Sequence, residues 1–108
     1  MKAACGLSHT AILFEDGSVQ LIGRNNFNQC SMGILPNKMK ILSVSCGAYH
    51  TAMILNDCSV YLFGDNSRGQ CDMNILPINK RAIQVSCGGY HTGILYDDGK
   101  VVLLGSND

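Results

Sequence analysis

Val44-Ser45-Cys46-Gly47-Ala48-Tyr49-His50-Thr51 decides the architecture, because the chain writes nearly the same words 41 residues later as Val85-Ser86-Cys87-Gly88-Gly89-Tyr90-His91-Thr92. The same offset leads back to Cys5-Gly6-Leu7-Ser8-His9-Thr10 and links Gly23, Gly64 and Gly105; Cys30 recurs as Cys71, and Pro36 as Pro77. Aligning 3–43 with 44–84 gives 17 identities in 41 positions, and 44–67 with 85–108 gives 12 in 24, without an insertion. A fixed period of this length means one structural unit repeated and stacked on itself. The copies are 3–43, 44–84 and 85–108, the third holding only the first part of the period.

Each copy reads as strands. Segments 10–14, 51–55 and 92–96 are apolar and partly β-branched, and each runs through an Asp-centred turn into a second apolar run, 19–22, 60–63 or 101–104. Asp16-Gly17 and Asp98-Gly99 supply a glycine where such a turn needs a positive φ. Copy two has Asp57-Cys58 instead, and a cysteine held in the left-handed conformation costs about 1 kcal/mol more than glycine. Segments 40–46 and 81–87 read as a further strand, and 29–30 and 70–71 lead toward the Pro36 and Pro77 loops, for four short strands per period. The expected fold is all-β: a partial β-propeller of about two and a half four-stranded blades, one domain over residues 1–108.

Composition agrees and narrows the function. With 108 residues, 46% of them hydrophobic, the chain can bury one modest core. Eight Lys plus Arg balance eight Asp plus Glu, which removes the electrostatic term that non-specific nucleic-acid or anionic-membrane binding requires. No apolar run approaches the roughly 18 residues of a membrane helix, and Ser8 and His9 interrupt the start before an export signal could form. The expected compartment is the cytoplasm, with the nucleus as the alternative.

The quoted octapeptide, with Asp57, Val60, Gly64, Asp65-Asn66 and Gly69-Gln70-Cys71, resembles the repeat of the regulator of chromosome condensation family. That resemblance implies a propeller usually of seven blades with partners on its faces and loops. Members include the exchange factor for the Ran GTPase, propeller domains of HECT-type ubiquitin ligases and the plant ultraviolet-B photoreceptor. The absence of Trp excludes the photoreceptor's tryptophan mechanism. A HECT domain would need hundreds of further residues, and no insertion is present that could form the exchange factor's projecting wedge. The expectation is a non-catalytic protein–protein interaction module. The alternatives are a guanine nucleotide exchange fragment acting on a small GTPase, and a segment recognising the substrates of a HECT-type ligase.

The chemistry available points the same way. Cys5/His9, Cys46/His50 and Cys87/His91 have the composition of zinc ligands, with Cys30 and Cys71 as further thiols. Repetition of a packing unit explains the pairs better, because buried thiols and hydrogen-bonded histidines are ordinary core features. Equivalent cysteines about one sheet spacing, roughly 10 Å, apart cannot form disulfides, so free thiols are expected, with Cys58, at its turn, the best candidate for an exposed reactive thiol. Three near-identical Cys/His pairs give no reason for one to become a nucleophile. Gly88-Gly89 precedes a strand, without the helix of a phosphate cradle. Neither catalysis nor a cofactor is expected.

Partner contacts should lie where copies differ, since shared residues maintain the unit. The differing loops are 24–28 and 65–69. Phe27 reads as an apolar anchor with Arg24 and Arg68 beside it, and Asn26 and Asp65 complete the candidate surface. Sheet edges left by an unclosed propeller require cover, supplied by the remainder of a longer propeller or by further copies of the chain.

Overall fold

The computed structural model describes residues 2–26, 29–30, 39–77 and 79–105. Among these the chain forms three antiparallel sheets of three strands each, in simple meander order. The first holds β1 (Lys2–Cys5), β2 (His9–Leu13) and β3 (Val19–Gly23). The second holds β4 (Ile41–Cys46), β5 (His50–Leu55) and β6 (Val60–Gly64). The third holds β7 (Ala82–Cys87), β8 (His91–Tyr96) and β9 (Val101–Gly105). The all-β expectation holds, and the predicted hairpins fall within about a residue of the observed ones.

The count per period differs. The second and third sheets begin in the last three residues of the preceding copy and end by Gly64 and Gly105, so the third copy completes its sheet despite its length, giving three sheets where two and a half blades were expected. No fourth strand appears among the described residues. After β6 the chain makes turns and one short 3₁₀ segment, Met73–Ile75, capped by the Asp72 carboxylate, which accepts from Asn74 N–H at 3.1 Å. Residue 76 must then suit Pro77, which favours extended backbone and ends the turn.

Alternation places two faces on each sheet. In β5, Thr51, Met53 and Leu55 face the first sheet, and His50, Ala52 and Ile54 face the third; all six are buried because sheets cover both sides. Leu13, Ile41, Met53 and Leu55 form the core between sheets one and two. Ala52, Ile54, Leu62, Val85, Ile94, Tyr96 and Leu104 form the core between two and three. A bulge in β4 between Ile41 and Ser43, repeated in β7 between Ala82 and Gln84, turns Leu42 and Ile83 out to solvent.

The hairpin turns confirm the sequence reading of their backbone. Gly17 and Gly99 both have φ of 87°, and Cys58 stands at the same turn position with φ of 67°. In each turn the Asp carboxylate accepts the N–H two residues on, as Asp16 does from Ser18 at 3.0 Å and Asp57 from Ser59 at 2.9 Å. Contrary to the expectation of an exposed thiol, Cys58 is half-buried and its sulfur receives a contact from the Arg81 guanidinium at 3.7 Å, while Cys5 is the exposed cysteine.

Candidate functional site

The strand registers put the Cys-Gly-x-x-His turns and the loops after β3 and β6 at one end of the sheets. Cys5 pairs with Thr10 and His9 with Gly23, while Leu13 and Val19 lead into the hairpin turn at the other end. Arg24 N–H donates to Ser8 C=O and Asp65 N–H to Tyr49 C=O, both at 2.9 Å, tying each loop to the turn beside it.

Beneath this end, the repeated Cys, Gly, His, Thr and Gln form the joints between sheets. The Thr51 hydroxyl donates to Gln29 C=O at 2.7 Å, and its oxygen lies 2.9 Å from His9 Nε2. One joint further, Thr92 donates to Gln70 C=O at 2.8 Å and lies 2.9 Å from His50 Nε2. A hydroxyl has one proton, and a carbonyl can only accept; the threonine therefore accepts from the histidine, which fixes the neutral tautomer protonated at Nε2. Burial is the main cause that lowers the pKa of both rings, against a smaller opposing effect of neighbouring backbone, and takes His50 to about 4. The glycine beside each cysteine is needed because the imidazole rests against it: a Cβ on Gly47 would collide with the His50 ring and with Gly88 C=O.

The thiols are also part of the joints. Cys46 Sγ donates to Ala4 C=O at 3.6 Å and Cys87 Sγ to Ser45 C=O at 3.5 Å, each reaching the preceding sheet. Burial pushes their thiols up to about 12 and about 11, so they are poor thiolates at neutral pH. All six cysteines are free. Among the described residues no three His, Cys, Asp or Glu side chains gather in a cluster able to hold a metal ion.

The loops share an internal frame. The Asn25 carboxamide accepts from Cys30 N–H and that of Asn66 from Cys71 N–H, both at 2.8 Å. Asp65 is buried and turned inward, accepting from Ser67 N–H at 3.0 Å and from the Gln70 carboxamide at 3.2 Å. Arg24 and Asn26 are exposed at the loop surface, and Phe27 lies outside the described residues. Arg68 is exposed with its guanidinium 4.4 Å from the centre of the Tyr90 ring. Tyr90 in turn lines an open pit of about 470 Å³ with Leu7, Ala48, Gly88 and Gly89, in which Leu7 is 71% exposed. Comparing the loops alone misses this pit. Its signal is in the two variable letters of the repeated turn: Leu7-Ser8, Ala48-Tyr49 and Gly89-Tyr90.

Residues 41–70 match the regulator of chromosome condensation (RCC1) repeat. No curated protein matches the chain. Among solved structures, human WBSCR16 is similar over 95% of this chain and 34% of its own, at 26% identity and a TM-score of 0.80. Prp20p from Saccharomyces cerevisiae is similar over 98% and 32%, at 15% identity and a TM-score of 0.78. The CRINKLY WD40 ectodomain of the Arabidopsis thaliana receptor kinase ACR4 is similar over 96% and 36%, at 22% identity and a TM-score of 0.73. The chain spans about a third of each of these proteins.

Proposed function

We propose, from the match of residues 41–70 to the RCC1 repeat and the likeness of the fold to solved propellers, that the chain is a non-catalytic protein-interaction module whose partner sits on the end bearing the Cys-Gly-x-x-His turns. The observation that carries this reading is a division of labour within each repeat. The repeated His, Thr, Gln and Cys are consumed in the joints, whereas letters that change between copies, Leu7, Ala48 and Gly89 among them, line an open apolar pit, with Arg68 stacked on its Tyr90. Diverged side chains on a rigid frame are what a binding surface requires. Protein partners also have precedent among similar structures: Prp20p was characterised for binding to Gsp1p and histones, and was crystallised with Kap60.

A pulldown with the purified chain tests the placement. Arg68→Ala and Tyr90→Ala should reduce capture of the cognate protein, while Lys80→Ala and Lys100→Ala, at the other end, should leave it intact. The reverse pattern would move the site.

Two further readings rest on the sequence resemblance, the first of them also on fold likeness. A fragment acting in guanine nucleotide exchange is supported by the similarity to Prp20p and is tested by release of labelled nucleotide from small GTPases. Substrate recognition for a HECT-type ubiquitin ligase is tested by the coding sequence that flanks this segment.

A further inference from the structure

We infer that the pit takes an acidic peptide segment carrying a small apolar anchor; this deepens the proposed protein-binding role and rests on it. The two ends of the sheets differ in charge. The hairpin end and its approaches carry Glu15, Asp16, Asp57, Asp97 and Asp98 interleaved with Lys40, Lys80, Arg81 and Lys100, including a Lys80–Asp98 ion pair of 2.7 Å. Around the pit, segments 6–8, 24–26, 47–49, 65–70 and 88–90 hold three charged residues, Arg24, Asp65 and Arg68.

Of those three, Asp65 is buried and hydrogen-bonded within its own loop, and Asp72, next along the chain, caps the 3₁₀ turn. Among the described residues, the exposed charge of these segments is therefore the two arginines, in a chain whose formal net charge is zero. Their positions suit one ligand. The Arg68 guanidinium is held over Tyr90, a lining residue, which orients it while leaving its N–H edge free to meet a carboxylate. Arg24 is anchored through its backbone to Ser8, the neighbour of the lining residue Leu7.

Beside Arg68 the pit is apolar, with Gly47, Ala48, Gly88 and Gly89 in its wall, which leaves room for a side chain of the partner. A Cβ added to Gly89 would meet nothing within 4 Å, so the floor is accessible from the partner's side. A carboxylate beside an apolar anchor matches this lining; a basic segment would be repelled by the rim, and a neutral one would leave both guanidinium groups unpaired.

The probe is a short peptide alternating Glu with Leu, set against a counterpart with Lys for Glu and another with Gln for Glu, each titrated into the isotopically labelled chain. The Glu peptide should perturb amide signals of residues 7, 48, 68, 89 and 90, weaken with added salt, and bind at least about tenfold more tightly than either counterpart. Arg68→Glu should abolish that preference, and Gly89→Leu should fill the pit and block all three peptides, whereas Arg81→Glu at the other end should change nothing. Equal binding of the Gln peptide at these residues overturns the acidic class while leaving the binding end intact. Perturbation confined to the hairpin turns overturns both, and absence of binding by the Glu peptide overturns the acidic class.

Discussion

Leu62 and Leu103 occupy the same place in successive repeats, yet Leu62 is 3% exposed and Leu103 is 72% exposed. The sheets around them are the same: Ala52 pairs with Leu62 as Gly93 pairs with Leu103. What differs is the neighbour. The second sheet presses its His50, Ala52, Ile54 and Leu62 face onto the third, whereas the corresponding face of the third sheet, with Val101 and Leu103, meets solvent. Burial in this architecture belongs to the joint and cannot be assigned to a residue type or to a repeat considered alone.

Truncation gives the largest test of that contrast. Leu62→Ala should cost about 2–5 kcal/mol in chemical denaturation, and Leu103→Ala less than about 0.5 kcal/mol; similar losses would mean that the third face is covered in solution. Acid titration separates the joints from the rest of the molecule. The folded pKa of His50 is depressed to about 4 from the ordinary 6.5, so its contribution is complete above pH 6.5 and is lost as the pH falls toward 4. That loss is about 3 kcal/mol at most, and His50→Gln should flatten it. Asp16 and Asp57, which hydrogen bonds from Ser18 and Ser59 hold below the usual carboxylate range, titrate under this window.

The hydroxyl relay offers a smaller, paired effect. Thr92→Val orphans the buried His50 Nε2 proton and Gln70 C=O and should cost about 1–3 kcal/mol, while Thr10→Val, whose hydroxyl makes only an exposed 4.0 Å contact with Cys5, should be nearly silent. Smallest is Cys58→Gly, which relieves the left-handed strain and should stabilise by about 1 kcal/mol, seen as a rise of about 4 °C in Tm.

Much of this was legible in the residues. The 41-residue period, the hairpins and the glycine-demanding turn at Cys58 are properties of short stretches, whose alternation and turn chemistry do not depend on distant contacts. The segments around Gln29 and Gln70 carry no legible sign of their role: these glutamines bury their side chains and offer carbonyls to the threonines of the next sheet. Asp65 looked available on the loop and is consumed beneath it. The pit shows in the sequence only as variable letters of the repeated turn; that Leu7, Ala48 and Tyr90, from three different repeats, share one wall is decided by stacking.

The period, the alternating faces and the turn residues were determined by the sequence alone, since each is settled within a few bonds of the chain. The tertiary structure decided which hydroxyl meets which imidazole and which variable letters share one rim. His9 and Thr51, like His50 and Thr92, stand 42 residues apart, and only the stacking of one sheet against the next, driven by removing their apolar faces from water, brings such groups within hydrogen-bonding reach.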